Sequence, residues 1–241
     1  MRVIDFQRYV NKAQYMNRNR YMVDYTAPNE NASALLTIDV QNDFVRPGAP
    51  AEIPGTNELL PAMHDLVTAF RENGRPVIHV VRLYKPDGSN AELCRRRLVQ
   101  EWKLIVSPES GGAELVDELK PDPNVKMDSK LLLSGGLQEI GPLEWLLYKP
   151  RWGAFYSTAL ESHLKSIGVD TLVVAGCNFP NCPRTTIYEA SERDFRVVLV
   201  QDAVSRLYDK GREEMSNIGV HLMNVEDCSR WIGSEVESSS C

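Results

Sequence analysis

The chain is short of histidine, of long apolar runs and of positive charge, and each shortage removes a class of function. Its four histidines, His64, His79, His163 and His221, are scattered, which leaves little from which to build a His-rich metal centre. No apolar stretch approaches the roughly 20 residues that cross a bilayer. The opening Met-Arg-Val-Ile-Asp-Phe-Gln lacks the charged-then-apolar order of a secretory signal. No membrane partner and a cytoplasmic location are therefore expected. Lys and Arg total 27 against 33 Asp and Glu, a net charge of -6 with a pI near 5.4. Such a balance gives no attraction for nucleic acid or an anionic membrane. The five cysteines, Cys94, Cys177, Cys182, Cys228 and Cys241, form neither an even framework nor a zinc-like spacing, so reduced thiols are expected. Internal repeats and heptads are lacking. Chemistry on a small molecule remains.

What is present is a chain of 241 residues, 43% hydrophobic and 25% charged, enough for one α/β domain with a substantial core. Apolar runs at Ala34–Ile38, Val77–Val81, Leu172–Ala175 and Val197–Val200, with a short one at Val220–Met223, read as strands. Leu59, Leu60, Met63, Leu66, Val67 and Phe70 recur at helical spacing before Asn73-Gly74, and Leu160, Leu164 and Ile167 before Gly168. The alternation predicts a three-layer, doubly wound, mostly parallel sheet with helices on both faces. Three stretches resist it. Residues 1–33 read as an N-terminal arm that packs on a neighbouring subunit or surface. Residues 106–142, with Gly111-Gly112, Pro121-Asp-Pro123 and Gly135-Gly136, read as a loop-rich insertion, a lid or an oligomer contact. Residues 234–241 read as a flexible tail. Residues 34–233 form the single domain, and the arm and insertion suggest a homodimer or homotetramer.

Three segments carry chemistry. In Thr171-Leu-Val-Val-Ala-Gly-Cys-Asn-Phe-Pro-Asn-Cys182-Pro183, a strand ends at Gly176 and a helix is expected to start around Pro183, putting Cys182 near its N-cap. The positive end of that helix is expected to lower the thiol pKa, and its free N–H groups to hold an oxyanion. A buried structural cysteine is the ordinary alternative. A Cys177/Cys182 redox pair lacks the Cys-x-x-Cys spacing. Asp39, in Ala34-Leu-Leu-Thr-Ile-Asp39-Val-Gln-Asn-Asp43-Phe44, sits at another strand end, where ligands of open parallel sheets bind; an Asp there is more often a turn or cap residue, and Asp43 more so. Lys149 lies among aromatics in Trp145-Leu-Leu-Tyr-Lys149-Pro-Arg151-Trp152-Gly-Ala-Phe155, a setting that desolvates an ammonium.

Together these segments resemble the isochorismatase-like cysteine hydrolases, which include nicotinamidases and N-carbamoylsarcosine amidohydrolases. The resemblance rests on Asp39 in Asp-Val-Gln-Asn-Asp-Phe, Lys149 in Lys-Pro-Arg-Trp-Gly-Ala-Phe, and Gly176 followed six residues later by Cys182. It runs from about Ala34 to about Asn224. It implies Asp39 as general base, Lys149 as its charge partner and Cys182 as the nucleophile of an acyl or carbamoyl enzyme. It also implies a cis peptide between Cys177 and Asn178, with the Asn178 and Cys182 N–H groups as oxyanion donors. Phe179-Pro180 and Gly153 depart from the usual pattern, so the pocket floor is expected to differ, and Phe179-Pro180 is a second place for a cis bond.

Phe44, Trp152, Phe155 and Phe179 are candidate aromatic walls, each equally readable as core. Arg82 and Tyr84 follow a strand toward the presumed active face, where they either bind a polar or anionic substrate group or are solvated. Arg95-Arg-Arg97 reads as a solvated helix face. Some relatives hold a divalent ion after the second strand, but Val81–Asn90 contains no histidine, so no catalytic metal and no cofactor are expected. The implied activity is hydrolysis of a C–N bond in a small amide or ureido compound. The alternatives are an isochorismate-type vinyl ether hydrolase and a non-catalytic binding or scaffold protein on the same fold.

Overall fold

The computed structural model describes residues 23–102 and 105–233. Residues 1–22 of the expected arm and the expected tail, 234–241, lie outside the described residues. The remaining arm residues lead into β1 (Ser33–Ile38) through a short 3-10 turn at Glu30–Ala32.

β1 is the middle of a seven-stranded sheet. On one side lie β2 (Val77–Val81) and the hairpin β3 (Leu137–Gly141) and β4 (Glu144–Tyr148), and on the other β5 (Thr171–Gly176), β6 (Arg196–Val204) and β7 (His221–Met223). The order is β3-β4-β2-β1-β5-β6-β7. All pairings are parallel except β3 with β4. The expected mostly parallel, doubly wound sheet is therefore observed. Its switch point, where the chain leaves one half of the sheet for the other, falls between β1 and β5, with Leu36 opposite Val174. That is where such folds open a crevice beyond the strand ends.

β1 and β5 are buried along their whole length because both faces are covered, which is why they read as unbroken apolar runs. Their side chains divide by the strand period of two. Leu35, Val173 and Ala175 join the cluster under α2 (Leu60–Glu72) and α8 (Val225–Ile232). Ala34, Leu36, Ile38, Leu172 and Val174 join the opposite cluster, under α5 (Leu160–Ser166), α6 (Cys182–Ser191) and α7 (Asp209–Asn217).

The hairpin β3/β4 is absent from the sequence reading. β3 is an edge strand, half-buried with Glu139 exposed, so Leu-Gln-Glu-Ile-Gly offers no apolar run. It turns through Leu143, which takes a positive φ of 56° that the residue type does not advertise. The rest of the expected insertion, which contains α4 (Ser129–Leu133), is stitched to the segment after β1, which contains α1 (Asn42–Val45). Val116 N–H donates to Val40 O, and Asn42 and Asp43 N–H donate to Glu114 O and Gly112 O. Gln41 Nε2 donates to Ala113 O, while the Asp43 carboxylate accepts from Val106 N–H at 2.6 Å. Gly112 is glycine because a Cβ would meet that carboxylate. Asp43 is thus a buried anchor for the insertion, not a helix cap, and burial raises its pKa despite the Val106 hydrogen bond.

Candidate active site

Three strand ends build the site. β1 delivers Asp39, whose backbone takes a φ of 56° while its N–H donates to Val80 O at 2.8 Å. β4 delivers Lys149, whose N–H donates to Val81 O at 3.0 Å. β5 ends at Gly176, where a Cβ would strike the Ile38 carbonyl of β1; only glycine allows the two strand ends to approach so closely. The loop after it is held by Cys177 N–H to Ile38 O, Phe179 N–H to Ser205 O, and the Cys177 thiol to Asp39 O at 3.1 Å. The Cys177–Asn178 peptide is cis, and it is the only cis bond among the described residues, so Phe179–Pro180 is trans. α6 begins at Cys182 with Asn181 as N-cap and Pro183 in the first turn.

Lys149 Nζ contacts Asp39 Oδ2 at 2.9 Å, and both residues and Cys182 are buried. Asp39 Oδ1 is buried without a hydrogen-bond partner, so one carboxylate oxygen is clamped and the other is free to take a proton. Burial by itself lowers the Lys149 pKa, but the Asp39 carboxylate beside it reverses this and raises it; the ammonium stays charged. Burial, followed by the Asp39 charge, pushes the Cys182 thiol up to about 12, against the opposing pull of Lys149 and Arg95. The expected lowering by the helix N-terminus is therefore overturned. Removing sulfur from water disfavours the thiolate more than one helix end favours it, and the resting group is a thiol. The N–H groups of Asn178 and Cys182 donate to no protein group among the described residues.

A cavity of about 390 Å³ opens beside the loop that precedes Cys182, lined among others by Phe44, Ile53, Tyr84, Arg95, Ile105 and Asn178, though not by Asp39, Lys149 or Cys182 themselves. Of the expected binding residues, Phe44 and Tyr84 line it. Arg82 does not. It is fully buried, donating to Lys149 O at 3.0 Å and to Asn90 O at 3.0 Å and stacking on the Tyr84 ring at 4.2 Å; it supports the wall from behind. Trp152 is half-buried beside Arg95, with ring centroid and guanidinium 5.8 Å apart. Phe155 packs against Phe195 at 5.6 Å, and Phe179 packs edge-on to Tyr208, both in the core under α6 and α7. The change to Gly153 makes room for Glu189, which accepts from Phe155 N–H at 2.9 Å, rather than reshaping the cavity floor. The four histidines lie apart, and the described residues contain no group of three or more His, Cys, Asp or Glu placed to hold a metal ion. No described helix is long and apolar enough to cross a membrane.

Sequence reasoning missed Arg95. It lies on α3 (Leu93–Trp102), four residues before the buried Val99 and hence on the inward face. That offset was the available signal, hidden by a run of three arginines. The basic run is thus divided: Arg97 faces solvent with Glu101, and Arg95 faces the cavity.

The isochorismatase domain profile matches residues 33–135 and 136–227. The chain belongs to the isochorismatase family. It is 34% identical over 203 residues to the Arabidopsis thaliana protein named probable inactive nicotinamidase, covering 82% of this chain and 94% of that protein. It is 26% identical over 216 residues to the ureidoacrylate amidohydrolase of Methylobacterium radiotolerans, covering 82% and 74%. The crystal structure of an isochorismatase family protein from Desulfovibrio vulgaris superposes with a TM-score of 0.71 at 33% identity, covering 84% and 99%. This isochorismatase-family chain thus resembles one protein named as an amidohydrolase and one named as a probable inactive nicotinamidase.

Proposed function

We propose that the protein hydrolyses a C–N bond of a small amide or ureido compound through a thioester on Cys182. One observation carries the reading: the buried Cys182 thiol and the Asp39 carboxylate interact at close range, with one carboxylate oxygen held by Lys149 and the other without a further partner. A thiol that titrates near 12 cannot act as a preformed thiolate at neutral pH, so its proton must leave during attack. Asp39 Oδ1 takes that proton as sulfur bonds to the substrate carbonyl carbon. The carbonyl oxygen becomes an oxyanion facing the Asn178 and Cys182 N–H groups. Collapse breaks the C–N bond, and the leaving nitrogen takes the proton from Asp39. Water then gives a proton to Asp39 and attacks the thioester; the acid or carbamate leaves, and sulfur recovers its proton. Lys149 keeps Asp39 charged and oriented between the steps.

A non-catalytic binder is the second reading, favoured by the plant relative named inactive. Intact-mass analysis after mixing with small amides separates the two. The enzyme reading expects an acyl or carbamoyl adduct on Cys182, with ammonia and not pyruvate released, and loss of both in a folded Cys182→Ala variant. Unchanged turnover in that variant would exclude the nucleophile.

A further inference from the structure

Asp39 and Lys149 meet although their strands are not neighbours, because β2 lies between β1 and β4 in the sheet. The residue that follows β2 is Arg82, and it is tied to both partners. On the β1 side Gln41, itself fully buried, grips the Arg82 backbone. The Arg82 N–H donates to Gln41 Oε1 at 2.7 Å, and Gln41 Nε2 donates to Arg82 O at 2.8 Å, so a side-chain amide continues the strand pairing past its end. Gln41 also donates its own N–H to Asp39 O at 2.9 Å. On the β4 side, Arg82 Nη1 donates to Lys149 O at 3.0 Å and to the Tyr148 hydroxyl at 3.1 Å. The contact of Lys149 Nζ with Asp39 Oδ2 at 2.9 Å closes the ring Asp39–Gln41–Arg82–Lys149.

Arg82 and Lys149 are both buried cations, and a buried charge persists only when it is paired and hydrogen-bonded. Arg82 meets that condition through Glu92 Oε2 at 3.3 Å and Asn90 O at 3.0 Å, both on Nη2, while its Nε finds no acceptor. An apolar side chain would fill the same space without the desolvation cost. It could not hold the carbonyls of separate segments in fixed directions, as the planar fork does. Resting on the amidase reading, we infer that Arg82 is a positioning residue of the reaction, setting the Lys149–Asp39 contact from across the intervening strand, with Gln41 as its counterpart on the Asp39 side. The contact matters because its two charges act on Cys182 with opposite sign, Asp39 disfavouring the thiolate and Lys149 favouring it. Should Lys149 swing away, the Asp39 carboxylate stands uncompensated beside the sulfur.

The test needs no substrate. Iodoacetamide is mixed with the full-length protein; a C–S bond forms at Cys182, iodide leaves, the thiol proton goes to solvent, and peptide mass separates this thiol from the other cysteines. At a fixed pH below the thiol pKa the rate tracks the thiolate fraction. Arg82→Lys keeps the charge and loses the fork, and is expected to slow alkylation roughly 5- to 20-fold. In Asp39→Asn/Lys149→Met, where two neutral groups replace the contact, the same change is expected to alter the rate by less than about twofold. A merely structural role would move both rates alike. Gln41→Met cuts the ring on its other side with the guanidinium intact; it repeats the comparison and decides it if Arg82→Lys shows no cooperative thermal transition. Equal slowing in the two backgrounds, or none in either, overturns the inference. Ammonia release from nicotinamide, propanamide and ethylurea by the unmodified protein tests the amidase reading separately. If the contrast between backgrounds appears but no ammonia is released, Arg82 still sets the contact and the amidase reading falls. Ammonia release without the contrast does the reverse.

Discussion

Asp39→Asn is expected to move two properties of Cys182 in opposite directions. The thiol stands near 12 because of burial first and the Asp39 charge second. At pH 8 that leaves roughly one molecule in 10,000 as thiolate, against about a quarter for an unperturbed cysteine. The substitution leaves burial unchanged and removes the charge. A unit charge in contact at an effective dielectric near 20 is worth at most ~4 kcal/mol, and 1.4 kcal/mol corresponds to one pH unit. The iodoacetamide titration midpoint of Cys182 should therefore fall by roughly one to three pH units, helped by Lys149, now without its partner. Turnover should nevertheless drop by about 100- to 10,000-fold, because the proton acceptor is gone. The unpaired buried ammonium costs about 3 to 5 kcal/mol of stability, so thermal melting must confirm a folded variant. A midpoint that stays or rises would refute the electrostatic account. Turnover within tenfold of the original would refute the general-base role.

Two further outcomes follow from packing and charge. His79 bridges Thr37 Oγ1 at 2.6 Å and Glu144 at 2.8 Å inside the sheet, and burial, outweighing Glu144, lowers its pKa. A base whose folded pKa is depressed stabilises the fold above its unfolded value near 6.5 and loses that contribution as pH falls below it. Melting temperature should therefore decline between pH 7 and 5, and His79→Gln should flatten this part of the profile; an unchanged slope would sink the assignment. Gly176→Ala, which drives a Cβ into the Ile38 carbonyl at a φ of 112°, should destabilise by roughly 2 kcal/mol or more, read from a shifted urea midpoint. A variant as stable as the parent would show that β1 and β5 need not approach so closely.

The strands with apolar runs were legible because both their faces are covered, so β1, β2, β5 and β6 announce themselves without tertiary information. The edge hairpin was not, since β3 is half-exposed and its side chains carry no run. Among site residues, Asp39, Lys149 and Cys182 were legible through the resemblance their three segments carry together; taken singly, they read as a turn or cap residue, a surface charge and a buried cysteine. The wall was harder to read. Phe155 and Phe179 are as aromatic as Phe44, yet only Phe44 lies on the cavity side of the sheet, and that assignment depends on which face each loop returns to. Arg82 and Arg95 were inverted for a similar reason. A strand-end arginine looked available and a helix arginine looked solvated, but Arg82 is enclosed by the carbonyls of Asn90 and Lys149 and Arg95 turns inward.

The order of side chains along the chain determined the alternating architecture, the acidic balance and the three groups that meet at the sheet's switch point, because periodicity and strand-end position are local properties. The state of those groups was decided only in three dimensions. Whether Cys182 rests as thiol or thiolate, which oxygen of Asp39 is free, and which arginine faces the cavity depend on distances between segments that are far apart in the chain, more than a hundred residues for Asp39 with Lys149 or Cys182. Charge and solvation act through space, and a linear pattern carries neither.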